Sequence, residues 1–362
     1  MTTEHDIKKV ALIISKYLPK WNHIYAKSEQ EKEAFVKAVN QLDYTQNEEL
    51  LWNKFAHLIN QFVPDNHILL KRNGQNIIPK KIPTSKVDIK MDLPLNYEKF
   101  EVSDKGDWFI STQKISNKNV GIVTIPFFAF SENETEGIRE RFIKRFFELK
   151  KENNWQDIIF DFRGNTGGDA QVLKEIAERL AGSSLKYADR VEAIIPQETD
   201  PYHHIFQNKI QESEMYSFIT GDQHERAKGN IYILQDGWNA SASEGAIFML
   251  KQLKNSYSIG EQTSGTYQSG ATVSLQVAPN IELVIGTKYM ERLDQKGNII
   301  EEKKGFTPDF QVHSQQAMKK AFSLIRTKNL TLIRAFSILA KMRDYLSKNK
   351  NLKKIQKQNN QR

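Results

Sequence analysis

Apolar positions in the first part of the chain recur at helical spacing. Val10, Ile13, Ile14, Tyr17 and Leu18 form one stripe. Phe35, Val36, Val39 and Leu42 form a second, and Leu50, Leu51, Phe55, Leu58, Ile59 and Phe62 a third. This period predicts helices across residues 6–62. Asn47 precedes the third stripe as an N-cap, and Pro64-Asp65-Asn66 breaks it before His67. Residues 71–118 are Lys-rich and mixed, with short strand-like pieces such as Trp108–Ser111 and no evident domain.

From residue 119 the pattern changes. Residues 119–127, 157–162, 230–235 and 256–260 are strongly apolar and read as strands, as do 191–196, 273–277 and 282–287. Ile158, Ile159 and Phe160 run without alternation, which marks a strand covered on both faces. Residues 131–151, 170–181 and 242–253 read as helices between them. Residues 197–229 are polar and read as an insertion or lid. Residues 305–312 close the body, and 315–349 read as a C-terminal helix. Alternating strands and helices give an α/β class. The organisation expected is a helical region (1–70), a linker or small β segment (71–118), an α/β core (119–313), and a helix with a basic tail (314–362).

The 362 residues are length for roughly two domains, and the 39% apolar and 27% charged balance is that of a folded chain. The longest apolar run, Val120–Phe130, is about half of what a membrane span needs. Nothing near the N-terminus has the apolar core of a signal peptide, so a cytoplasmic protein is expected. With no cysteine, the chain has no disulfide, thiolate nucleophile or cysteine metal site. Of the net charge of +8, +7 falls in residues 341–362. The tail therefore accounts for the basic character. It reads as a solvated terminus, and no specific nucleic-acid partner is expected.

Two turns share one design. Asp161-Phe162-Arg163-Gly164-Asn165-Thr166-Gly167-Gly168 and Gln235-Asp236-Gly237-Trp238-Asn239-Ala240-Ser241-Ala242-Ser243-Glu244 each end a buried strand and open a helix. A hydroxyl there meets free N–H groups and the positive end of the helix dipole, which favour an attacking oxygen and its oxyanion. Most serines at helix starts only cap them. The first turn lacks the spacing and the lysine of a phosphate loop.

These turns resemble those of the C-terminal processing (tail-specific) protease family and its tricorn-core and retinoid-binding-protein relatives. Two further motifs fit in order: Gly260-Glu261-Gln262-Thr263-Ser264-Gly265, and Glu302-Lys303-Lys304-Gly305-Phe306-Thr307-Pro308-Asp309. The resemblance covers 119–312 and implies a core of the ClpP/crotonase type and serine-type peptide hydrolysis without a cofactor. By position, the nucleophile is Ser241, with Ser243 the lesser candidate. The oxyanion donors are the N–H of Ala242 and that of Gly167 or Gly168.

The family's Ser–Lys dyad is broken here, because Thr266 stands where the lysine would be and Gly270 where a glutamine follows. Thr266 cannot act as a base at neutral pH. Lys251 and Lys254 read as solvated charges. The tricorn-like branch uses a histidine just after an early helix, and His67 in Asp65-Asn66-His67 holds that place. Imidazole titrates near neutrality and suits a general base. A carboxylate usually orients such a base. Glu302 aligns best, with Glu301 as the fallback and Asp65 as another choice. His23 and His57 read as structural or surface residues, and His203-His204 lack the spacing of a metal site.

Too few residues separate His67 from Val120 for a PDZ domain, so substrate choice is expected to fall to the core cleft, the 197–229 segment and the N-terminal helices. A peptide or protein substrate is implied, with dimerisation through residues 315–349 open. The alternative is an inactive relative that binds an apolar ligand or a peptide.

Overall fold

The computed structural model describes residues 2–22, 29–63, 65, 67–78, 96–103, 106–128, 136–186, 188–193, 196–214, 225–267, 269–293, 298, 300 and 304–327. The helices are α1 (Thr2–Tyr17), α2 (Pro19–Asn22), α3 (Glu29–Asn40), α4 (Glu48–Phe62), α5 (Glu136–Glu152), α6 (Gln171–Ala181), α7 (His203–Glu214), α8 (Ala242–Lys251) and α9 (Ala317–Arg326). The strands are β1 (Leu69–Arg72), β2 (Gln75–Asn76), β3 (Glu98–Ser103), β4 (Gly106–Ile115), β5 (Lys118–Thr124), β6 (Asp157–Asp161), β7 (Arg190–Ala193), β8 (Ile231–Gln235), β9 (Ser256–Gly260), β10 (Ser269–Ala278), β11 (Ile281–Glu291) and β12 (Phe310–Gln311).

Two sheets organise the chain. The larger has the order β12-β9-β8-β6-β5-β4-β3. From β12 to β5 its pairs are parallel, and β4 and β3 add an antiparallel edge. Helices cover both of its faces. On one, Phe142 and Phe146 of α5, Ile176 of α6 and Ile247 of α8 pack on Ile158, Phe160 and Ile233. On the other, Met318, Ala321 and Leu324 of α9 pack on Ile159, Tyr232 and Ile259. Burial on both faces is why β6 shows no alternation.

The second sheet runs β10-β11-β1-β2, with β7 also on β11. Here Val273, Leu275 and Val277 are buried while Thr272, Ser274 and Gln276 are exposed. That alternation marks a one-faced sheet, and its apolar face is covered by α1, α3, α4 and Phe206 of α7. The N-terminal helices therefore share a core with strands from the far end of the chain. Asn47 caps α4 as its sequence position predicts, its side chain accepting the Leu50 N–H at 3.0 Å.

Residues 98–115 include β3 and β4, which extend the main sheet. The polar 197–229 stretch contains α7, whose Phe206 is fully buried in the second core. Lys251 is half-buried, and its ammonium pairs with Asp309 rather than standing free on the surface. The expected helix 315–349 is described only as far as α9, and the basic tail lies outside the described residues. No described helix is long and apolar enough to cross a membrane.

Candidate active site

β6 and β8 are adjacent and parallel, with Asp161 paired to Leu234. Their carboxyl ends therefore bring the two Gly- and Ser-containing turns side by side, where open parallel sheets place their sites. Buried polar groups lock the turns together. The Arg163 guanidinium donates to both oxygens of Asp161 at 2.9 and 2.7 Å, and both side chains are fully buried. The same guanidinium reaches the Ser314 carbonyl at 2.9 Å.

Between the turns, the Gly164 N–H donates to Asp236 at 2.8 Å. The Asn239 amide donates to the carbonyls of Phe162 at 2.5 Å and Asn165 at 3.2 Å, and to the Ser243 hydroxyl at 3.0 Å. The Asn165 amide in turn holds the Ile125 carbonyl at 2.8 Å. Burial pushes the Asp236 carboxyl up to about 6. Left unpaired, such groups would each cost a few kcal/mol, so the network specifies one arrangement of the two turns.

Ser241 starts α8 with φ 53° and ψ −124°, a conformation uncommon for a residue with a side chain. Its N–H donates to the Thr266 carbonyl at 2.7 Å. Its hydroxyl makes no capping bond, so the usual reason for a serine at this position does not apply. Gly167, at φ 107°, lies against it. A Cβ there would fall 2.9 Å from the Ser241 Cβ and 3.3 Å from the Ala242 nitrogen. Only glycine fits that approach.

The two candidate glycine donors differ. The Gly167 N–H is held by the Asn165 side chain at 2.8 Å. The N–H groups of Gly168 and Ala242 donate to no acceptor among the described residues. Ser243 is buried and bonded to Asn239.

The third and fourth motifs close around these turns. The Phe306 N–H donates to the Thr263 hydroxyl at 2.7 Å, and the Thr263 N–H donates to the Phe306 carbonyl at 3.2 Å. Gly305, at φ 63°, leaves no room for a side chain, because a Cβ would lie 2.2 Å from the Thr263 carbonyl oxygen. Asp309 accepts the Ser258 N–H at 2.8 Å and pairs with Lys251.

His67 belongs to the other sheet. It sits between α4 and β1, and its backbone N–H donates to Asp65 at 2.7 Å. Its Nδ1 is 3.4 Å from the same oxygen, outside hydrogen-bonding alignment. Both ring nitrogens are buried and make no hydrogen bond among the described residues, to Ser241 included. Leu69 pairs with Val284, and Val284 with Ser274. The chain before β1 thus lies toward the end of the sheet where β10 begins, a few residues after Thr266. Glu302 and Glu301 lie outside the described residues. His57 is exposed on α4, and the His203 ring contacts the Pro196 carbonyl at 2.5 Å.

The structure adds Glu244, whose role the sequence motif alone did not show. Its side chain is fully buried and accepts the N–H groups of Gly265 at 3.0 Å and Thr266 at 2.6 Å, and the Thr263 hydroxyl. Burial pushes its carboxyl up to about 7 against the pull of those donors and of Arg292. The signal available was a lone carboxylate in an otherwise small, apolar first helical turn. Among the described residues, no cluster of three His, Asp or Glu side chains could hold a metal. A cavity of about 610 Å³ between α5 and α6, lined by Phe147, Lys150, Trp155 and Arg179, shares no residue with these turns.

The chain is 25% identical over 243 residues to the carboxy-terminal processing protease CtpB of Bacillus subtilis (strain 168), an overlap of 67% of this chain and 44% of that protein. It thus spans less than half the length of that curated relative. Two solved structures share the fold. One is a candidate peptidase from Parabacteroides merdae, with TM-score 0.59 and 14% identity over 91% of this chain and 98% of that one. The other is mature CPAF complexed with lactacystin, with TM-score 0.54 and 11% identity over 94% and 98%. The profile of peptidase family S41 matches residues 119–312, just over half of the chain, the stretch that carries all four motifs, and the chain belongs to that family.

Proposed function

We propose that this protein is a serine-type peptidase that cleaves peptide or protein substrates with Ser241 as nucleophile and His67 as base. The observation that carries the reading is Ser241 itself. It is held at positive φ beside Gly167, with its hydroxyl uncommitted to the helix it begins. A residue in a sparsely populated conformation, fixed by a dense surrounding network, is the pattern expected of a presented nucleophile.

In the proposed reaction, the Ser241 oxygen attacks the substrate carbonyl carbon while the His67 imidazole takes its proton. The N–H groups of Ala242 and Gly168 receive the oxyanion, Gly167 being excluded as a donor by its bond to Asn165. His67 then returns the proton to the departing amine, and water releases the acyl group by the same steps in reverse. Glu302 is the proposed orienting carboxylate, with Glu301 and Asp65 as the other choices. Asp65 already holds the His67 backbone. Neither ring nitrogen of His67 is bonded among the described residues, which leaves both available in this reading. Relaxed geometry before substrate binds is usual for such a base. The core is of the ClpP/crotonase type in this reading, in the histidine-using branch of the family.

Casein or peptide cleavage, together with fluorophosphonate labelling, tests the proposal. Ser241→Ala and His67→Ala should each lower cleavage by a factor on the order of 10⁴ or more. Only Ser241→Ala should remove the labelled site. An unlabelled, inactive wild type would sink the reading and leave a ligand-binding relative in its place.

A further inference from the structure

We infer that Glu244 is a positioning residue, which holds the Ser241 backbone in its presenting conformation through the 263–266 loop. The inference rests on Ser241 being the nucleophile, and it adds a residue that acts without touching substrate.

The path is short and consists of named bonds. The Glu244 carboxylate gathers the Thr263 hydroxyl, the Gly265 N–H and the Thr266 N–H. The Thr266 carbonyl then accepts the Ser241 N–H at 2.7 Å. The Ser264 N–H donates to the Asn239 carbonyl at 2.9 Å, which pins the loop to the turn that carries Ser241. Helix α8 thus starts at Ser241, turns back through Glu244 to the loop, and returns by Thr266 to Ser241. The Glu244 side chain is fully buried, so no water replaces a lost acceptor cheaply.

An ionised carboxylate accepts from all three donors, whereas a protonated one gives up part of that capacity. The charged side chain that faces Glu244 is Arg292, which is itself buried over the rings of Phe248 and Tyr267 at 5.7 and 5.3 Å. Arg292 favours the ionised form less strongly than burial disfavours it. Its three donors favour the ionised form, while burial pushes the Glu244 carboxyl up to about 7, so its protonation state changes near neutrality.

The test compares wild type with Glu244→Gln by backbone hydrogen exchange and by the rate of fluorophosphonate labelling across pH 5–9. The glutamine keeps the shape and removes the charge. Its melting temperature should match or exceed that of wild type, while exchange in peptides covering Ser241 and residues 263–267 rises at least tenfold. Labelling should fall at least tenfold. The pH profile of wild-type labelling should carry a step near 7 that is missing in Glu244→Gln.

Unchanged exchange and labelling in the variant overturn the inference. A wild type that resists the label, with exchange still raised in Glu244→Gln, supports the tether and sinks the nucleophile. Should Glu244→Gln fail to fold, Thr263→Val removes a single donor, and the same two readouts should shift in the same direction by about threefold.

Discussion

The two sheets of this protein treat their polar residues differently. Around the main sheet's carboxyl ends, Asp161, Arg163, Asn165, Asp236, Asn239 and Glu244 are buried and bonded to one another or to the backbone of neighbouring turns. At the end of the second sheet, His67 is buried with both ring nitrogens unbonded among the described residues. The first arrangement rigidifies and the second leaves capacity. A nucleophile and an oxyanion hole gain from being fixed before substrate arrives, because reorganisation during reaction raises the barrier. A general base must exchange partners as the proton moves, so the proposed role of His67 calls for a side chain that is not locked in place.

Breaking the rigid side should cost more stability than touching the other. Arg163→Met leaves Asp161 buried without its counterion and should destabilise by about 3–5 kcal/mol in urea unfolding. His67→Gln should stay within about 1 kcal/mol of wild type while removing cleavage. Equal stability losses in the two variants would erase the contrast.

Gly167→Ala sharpens the comparison from the active-site side. Its Cβ would sit 2.9 Å from that of Ser241 and displace that side chain. Labelling should slow by about 10²-fold, the scale of losing one oxyanion contact, with a stability loss of about 1–3 kcal/mol from the forced backbone.

The rigid side should also carry a pH signature in stability. The Asp236 carboxyl is raised from 3.8 to about 6 by burial, so the folded state keeps its proton after the unfolded chain has lost it. The stabilisation is complete below about 4 and is lost as pH rises through about 6, on the order of 3 kcal/mol. Asp236→Asn should flatten that window in a pH series of urea melts. Glu244 adds a fall of the same sign that extends to about 7.

The smallest effect belongs to the helices that cover the second sheet. Asn47→Ala removes the bond to the Leu50 N–H and should cost about 1 kcal/mol, with labelling of Ser241 unchanged. A change in labelling there would show that the N-terminal helices reach the nucleophile.

The helices of residues 6–62, the Asn47 cap, the buried strands β5, β6, β8 and β9, and the small-residue turns after them were legible because each depends on local period or turn chemistry. β3 and α7 were not, and of β4 only Trp108–Ser111 stood out. Polar and charged residues interrupt their patterns, and their burial comes from partners distant in sequence. The same holds for Lys251, whose spacing on α8 reads as surface until β9 and residues 304–309 bring Asp309 to it.

The chain by itself determined the class of fold and the position of the Ser241 turn. Both follow from hydrophobic period, from glycines at turns where a side chain cannot fit, and from four motifs in fixed order. Tertiary structure alone decided which N–H groups near Ser241 are free, since Asn165 claims that of Gly167. It also decided that β1 pairs with β11 and so places His67 on a sheet built mainly from the far end of the chain. Hydrogen-bond ownership and strand pairing are properties of atoms brought together across long separations, and a linear pattern specifies neither.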